Sequence, residues 1–363
     1  MANKINTCIV GVGDVASALV QGIENYKQNP DKIVGVLPEI TQYHIQDINF
    51  VLGVDVNANK VGKDLSKAIF SEPNCNMKLF EPPFLNAPVL KGPILDGLNS
   101  NIKNIIPIDE TQKTKDIKEE MKNRQVDVVV ILMPTGSHNA VNFYVNVALD
   151  AGACIVNGMP SNVARNPQIV KKAENCELSL IGDDVKSQIG ATIIHRSLAN
   201  LFPMRGAILD RTIQLDWGGG SDFCNLLTSK PDGTLIYEEG KRQSKTEAVI
   251  SSIQNKESLE CEISAVDYIQ FLKNQKEAYM RLEGRIFGGA PVRIDLTMFV
   301  EDGNNSAGII ADCIRVSKIA KDRKIGGVLH SACSFFNKNP PEQLEDNVAR
   351  ERLIDFIQNK TKR

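Results

Sequence analysis

Short, unbroken apolar runs alternate with amphipathic stretches through the first half of the chain, the pattern of a parallel sheet with crossover helices. The runs predict strands over Ile5–Val10, Phe50–Val56, Val126–Met133, Cys154–Asn157 and Ser179–Ile181. Ala16, Leu19, Val20 and Ile23 share one face at helical spacing and predict a helix from Asp14 to about Tyr26. Prolines at 73, 82, 83, 88, 93 and 107 predict an irregular surface excursion between Ser71 and Pro107, and no chemistry is expected there. The pattern changes near Leu209. Thr212–Trp217 and Val292–Val300 alternate apolar and polar residues, with Val292, Ile294, Leu296, Met298 and Val300 on one face. These read as strands of an open-faced sheet in a second domain, suited to covering a site or pairing with another subunit. Ser306 is the expected cap of a helix reaching about Lys321, and Leu344–Lys360 reads as a final amphipathic helix.

Composition narrows the class without changing this picture. The chain has 363 residues, enough for two domains, and its 42% hydrophobic and 24% charged content is that of a globular protein. With 42 Lys and Arg against 44 Asp and Glu, a net charge of −2 offers no general attraction to nucleic acid or an acidic membrane, so an anion site must be built locally. No basic, then apolar, leader opens the chain, and no apolar run approaches the roughly 18 residues of a membrane span, so a cytoplasmic location is expected. The cysteines at 8, 75, 154, 176, 224, 261, 313 and 333 form no CxxC pair and read as reduced thiols. The histidines at 44, 138, 195 and 330 show no metal spacing, and His195 reads as a helix histidine rather than a ligand. Neither a GxSxG elbow nor a Walker loop is present.

Gly11-Val12-Gly13-Asp14-Val15-Ala16 follows the first strand and opens the first helix. In that context Gly11 permits the tight turn, Gly13 lets a pyrophosphate approach the backbone, and Ala16 keeps helix and sheet close. The helix N-terminus would hold the phosphates, and Asp55, at the end of Phe50–Val56, would meet a ribose hydroxyl. Asp55 comes later than the roughly 20 residues usual for that acid, which requires an insertion around residues 28–46. The fold class is therefore α/β, a Rossmann-type doubly wound parallel sheet, with a second α+β domain carrying the open-faced sheet. Thr135-Gly136-Ser137 ends the most hydrophobic strand, where ligands gather in such sheets; for Ser137 the plainer role is capping the next helix. Gly182-Asp183-Asp184-Val185-Lys186-Ser187 packs two carboxylates and a lysine after a strand, costly to bury unless paired, and is read as a cofactor or metal contact, or else as a solvated cluster. Gly218-Gly219-Gly220-Ser221-Asp222 and Lys241-Arg242-Gln243-Ser244-Lys245 could together cradle a phosphate. Taken alone, Lys241, Lys245, Lys276 and Lys338 could equally be a solvated basic face.

In this order, these segments resemble the myo-inositol-1-phosphate synthase family, particularly its shorter bacterial and archaeal form. The likeness runs through Gly11–Gly22, Val54-Asp55-Val56, Lys60–Leu65, Gly182–Arg196, Ser244-Lys245-Thr246, Asp267-Tyr268, Arg281–Arg285, Asn305–Gly308, Ile319–Arg323 and Pro340–Gln343, and is weak only across the proline-rich stretch. It implies a dinucleotide-binding domain over residues 1–200 completed by 306–363, and a catalytic and oligomerisation domain over 201–305 that forms a homotetramer. It implies conversion of glucose 6-phosphate to 1L-myo-inositol 1-phosphate, with NAD oxidising C5, enolisation and aldol closure following, and NADH reducing the new ketone. By the same resemblance, Lys241 and Lys276 serve developing oxyanions and proton transfers, and Lys245 and Lys338 hold phosphate or relay protons. Asp184, Asp222 and Asp302 stand near the nicotinamide and lysines, and Gly11, Gly13, Asp14, Val15, Ala16, Asp55, Thr135, Gly136, Ser137, Asp184, Lys186 and Ser187 contact the cofactor. Gly219-Gly220-Ser221 stands where the family commonly has asparagine, and Asp14-Val15 replaces a common asparagine and cysteine. A dehydrogenase of another phosphorylated sugar or polyol and a non-catalytic NAD-binding sensor are the rival readings. The metal requirement is left open.

Overall fold

The computed structural model describes residues 4–98, 105–108, 116–220, 223, 227–229, 235–237, 246–250 and 259–363. Along the chain, β1 (Ile5–Val10), α1 (Asp14–Gln28), β2 (Ile48–Asp55), α2 (Leu65–Ala68), β3 (Val89–Lys91), α3 (Ile117–Asn123) and β4 (Val128–Ile131) come first. They are followed by α4 (His138–Ala151), β5 (Cys154–Asn157), α5 (Pro167–Asn175), β6 (Ser179–Ile181) and α6 (Ala191–Met204). Next are β7 (Ile208–Gly218), the short pair β8 (Leu227–Ser229) and β9 (Leu235–Tyr237), β10 (Glu260–Tyr268), β11 (Gln275–Arg285) and β12 (Pro291–Glu301). The chain ends with α7 (Asp302–Asp322), β13 (Gly327–Val328), α8 (His330–Phe336) and α9 (Asp346–Ile357).

The first sheet is parallel throughout, in the order β13-β6-β5-β4-β1-β2-β3. Its central strands are covered on both faces, which is why they read as apolar runs rather than alternations: every residue of β4 is fully buried. Each such valine or isoleucine contributes about 2 kcal/mol of burial. The expected face of α1 packs inward through Ala16, Leu19, Val20 and Ile23. Helix α7 lies against α1 and the central strands, and the chain then returns to the first sheet as β13. The crossover from β1 outward on both sides gives the 3-2-1-4-5-6 order of a Rossmann-like sheet.

The second sheet, ordered β10-β7-β11-β12, packs α6 on one face through Ala199, Phe202, Met280, Leu282 and the expected row Val292, Ile294, Leu296 and Met298. Its other face carries Arg281, Arg293 and Asp295 in one ion-paired group and leaves Phe299 65% exposed.

On β7 it is the polar row, Thr212, Gln214 and Asp216, that faces inward and is buried, while Ile213, Leu215 and Trp217 lie on the more exposed side. Three local expectations are corrected. Ser306 does not cap a helix: β12 runs straight into α7 at Asp302, and the Ser306 hydroxyl, one turn inside, meets that of Ser187 at 3.2 Å. Ser137 precedes α4 but donates its hydroxyl to the Pro134 carbonyl; the Asp96 carboxylate instead accepts from the Asn139 and Ala140 amides at 2.6 and 2.8 Å. The proline-rich excursion is not chemically idle, since Pro73, Pro93, Leu95 and Asp96 border the main cavity and β3 joins the sheet. No disulfide joins any two of the seven described cysteines, and no described helix is long and apolar enough to cross a membrane.

Candidate active site

The main cavity opens at the carboxyl ends of β1, β2, β4, β5 and β6, at the point where strand order reverses between β1 and β4. Ligands gather at such a crevice in open α/β sheets. Its opposite wall comes from β11, β12 and the first turn of α7.

The glycine turn is built for close approach. Gly11 has φ +92°, and a Cβ there would lie 2.3 Å from the Leu132 carbonyl oxygen, so both conformation and packing demand glycine. Among the described residues a Cβ on Gly13 would meet nothing within 4 Å, Gly13 offers α1 no side-chain cap, and Gly13 lines the cavity. The Asp14 carboxylate accepts from the Cys75 and Asn76 amides at 2.8 and 3.3 Å, and Asp14 lines the cavity. Asp55 accepts from the Val12 amide at 2.8 Å through Oδ2 and from Val56 and Asn57 through Oδ1. Oδ2 thus keeps acceptor capacity for a diol. Lys60, 3% exposed and absent from the expected site, donates to the Val12 and Pro73 carbonyls. Val12 is therefore clamped by its amide and its carbonyl at once. The open backbone at Gly13, the uncapped α1 and Asp55 fit a dinucleotide's pyrophosphate and ribose.

Val15, Ala16, Thr135, Ser137, Asp184, Ser187, Lys276, Asp302 and Lys338 also line the cavity. Lys338 reaches Asp184 at 3.1 Å, with reciprocal support from the Lys338 amide to the Asp184 carbonyl. Lys276 stands 5.5 Å from the centre of the Phe223 ring and 4.0 Å from Asp216, which is wholly buried. Gly136, at φ +90°, shapes the turn without bordering the cavity.

Lys186 is a correction to the expected cofactor set. Its ammonium points into the protein, donating to the Ser334 carbonyl at 2.8 Å and to Asp346 at 3.4 Å. Burial pushes its pKa down to about 8, against the pull of Asp346. Arg196 shares that carboxylate at 2.9 Å. Asp183 is likewise internal: Asn157, Val163 and Ala164 all donate to its oxygens, while burial pushes its pKa up to about 7. Among the described residues no cluster of three or more His, Cys, Asp or Glu could hold a metal ion. Lys241, Lys245 and Asp222 lie outside the described residues.

Sequence reasoning missed Lys60, Asp96 and Asp216. Lys60 lies in a stretch already marked by the family likeness; Asp216 was hidden because an alternating strand does not say which of its faces turns inward.

The 3-2-1-4-5-6 sheet, its glycine turn and the lysine-bearing second sheet across one cavity define a Rossmann-like α/β protein of two sheets. Within that class, the chain belongs to the myo-inositol-1-phosphate synthase family. The family's model, described as myo-inositol-1-phosphate synthase, matches residues 190–303. The inositol-3-phosphate synthase of Corynebacterium glutamicum is 43% identical, over 98% of each chain. That of Mycolicibacterium smegmatis is 41% identical, over 98% of this chain and 99% of its own. A solved structure of a myo-inositol-1-phosphate synthase-related protein from Thermotoga maritima, 22% identical and covering 98% of each chain, shares the fold with a TM-score of 0.80.

Proposed function

We propose that this chain is an inositol-3-phosphate synthase, an intramolecular lyase that cyclises glucose 6-phosphate to 1L-myo-inositol 1-phosphate and uses NAD catalytically. The observation that carries the reading is the convergence of the Gly11–Ala16 turn and Asp55 with Lys276, Lys338, Asp184 and Asp302 around one cavity. NAD bound there would take up and return a hydride, leaving no net redox change. Gly11, Gly13 and the start of α1 would bind its pyrophosphate, Asp55 its ribose, and Thr135, Ser137, Asp184 and Ser187 the part nearer the second sheet. Enolisation and ring closure develop negative charge on oxygen, which preorganised ammonium groups stabilise in a site shielded from water. Lys276, backed by Asp216 and Phe223, and Lys338, held by Asp184, supply that charge. A carboxylate beside each lysine favours its charged form, opposing burial. Lys241, Lys245 and Asp222 complete the phosphate and proton-transfer set in this reading. Residues 1–200 with 306–363 then form the cofactor domain and 201–305 the catalytic and oligomerisation domain. Exposed Phe299 and Phe287 support assembly through the second sheet as a homotetramer, and the reading assigns the enzyme to the cytoplasm.

The test is incubation with glucose 6-phosphate and NAD, following phosphate esters by phosphorus NMR and NADH by absorbance together. Inositol phosphate without net NADH is expected. Stoichiometric NADH would replace the reading with a dehydrogenase, and NAD binding with neither product would replace it with a sensor.

A further inference from the structure

Behind Lys276 a chain of buried polar groups crosses the inner face of the second sheet. Asp216 on β7 sits diagonal to Lys276 on β11, since Ala278 pairs with Asp216 and Lys276 with Gly218. Long side chains reach across such a diagonal. The carboxylate of Asp216 accepts from Gln214 Nε2 through both oxygens, at 3.0 and 3.2 Å. Gln214 Oε1 lies 3.0 Å from His195 Nδ1, and His195 Nε2 lies 2.6 Å from the Thr212 hydroxyl. None of Thr212, Gln214, Asp216 and His195 is more than 2% exposed.

We infer that His195 and Gln214 are positioning residues for Lys276, acting through the buried carboxylate of Asp216. The inference rests on the synthase reading only for the role of Lys276.

The direction of each hydrogen bond follows from the donor inventory. Reversing the Gln214 amide would set its oxygen against the Asp216 carboxylate, so the amide nitrogen faces Asp216 and the oxygen faces His195. Nδ1 of His195 therefore carries a proton. Burial pushes the pKa of this ring down to about 4, so at neutral pH the imidazole is uncharged and Nε2 accepts from Thr212. The Thr212 hydroxyl gives up its alternative acceptor, the Arg281 carbonyl at 2.8 Å, a small loss for a carbonyl on a paired strand. Donors thus run one way, from Thr212 through His195 and Gln214 to Asp216, and end on the carboxylate beside Lys276. Around them lie Ala199, Met280 and Leu282, an apolar setting in which a mis-set polar group is costly and a satisfied network is rigid. His195 never meets the cavity; its work is to hold the Gln214 amide in the one orientation that fixes both oxygens of Asp216.

The test uses His195→Leu, which removes both ring nitrogens, and His195→Asn, whose amide can replace the Nδ1 donor. For full-length protein forming inositol phosphate, kcat is expected to fall at least tenfold in the leucine variant, with KM for glucose 6-phosphate and Kd for NAD within twofold of the parent. His195→Asn should recover most of kcat. Independently of turnover, acylation of Lys276 at pH 8, read by mass spectrometry, should rise several-fold in His195→Leu and in Asp216→Asn, because a lysine without an oriented carboxylate yields its proton more readily. If the leucine variant does not fold, Gln214→Met supplies the same comparison. Unchanged labelling, or equal kcat in the leucine and asparagine variants, would overturn the inference. A parent protein that makes no inositol phosphate would overturn the synthase reading instead, and the labelling would still decide the positioning role.

Discussion

Replacing Lys186 by methionine separates a cofactor contact from a buried structural cation. The side chain is 2% exposed, its ammonium is held by the Ser334 carbonyl and Asp346, and its pKa falls from the ordinary 10.5 to about 8. A folded-state value below the unfolded one means that the native protein releases this proton first. Between pH 8 and 10.5 the unfolded chain binds more protons, so Lys186 makes stability rise with pH across that window and adds no slope below it. The interval is worth about 3 kcal/mol at roughly 1.4 kcal/mol per pH unit. Urea denaturation of the parent and Lys186→Met at pH 7 and pH 10.5 isolates the effect, because every other group cancels in the difference. The variant is expected to gain relative to the parent at pH 7, where the parent still carries a buried charge, and to lose that advantage, by about 3 kcal/mol, at pH 10.5. Kd for NAD, measured by calorimetry at pH 7, should stay within about threefold. A pH-independent difference between the two proteins, or a tenfold loss of NAD affinity, would refute the assignment of Lys186 to the interior.

Gly11→Ala should abolish NAD binding in a fluorescence titration, because its Cβ would stand 2.3 Å from the Leu132 carbonyl oxygen in a backbone at φ +92°; retained binding would mean that the turn is not part of the cofactor site. Asp96→Ala removes the carboxylate that accepts from the first amides of α4, and should cost about 1 kcal/mol in urea denaturation, the scale of a lost helix cap. Asp183→Asn turns an amide nitrogen toward N–H donors from Asn157, Val163 or Ala164, and should cost about 2 kcal/mol by the same measurement; an unchanged midpoint would show that the carboxylate is not needed there.

The chain's own pattern specified whatever depends on neighbours a few residues away. β1, β5 and β6 begin and end where the apolar runs do, and the buried stripe of α1 is the one its spacing predicts, because a strand covered on both faces and a helix with one packed face each leave a periodic mark. Gly11 and Gly13 were legible for the same reason, since a turn's conformational demand is local.

Long-range partners were not legible. The amides that open α4 take a carboxylate from 43 residues upstream rather than the adjacent Ser137, Lys186 turns to Asp346 at a separation of 160 residues, and β12 continues into α7 without using Ser306 as a cap. On β7 a polar row alternates with an apolar one, and only the packing of α6, which carries His195, decided that Thr212, Gln214 and Asp216 face inward. Periodicity reports that a face exists; which groups meet across it, and hence which carboxylate stands behind Lys276, is settled by the register of β7 on β11 and by the need of every buried polar group for a partner.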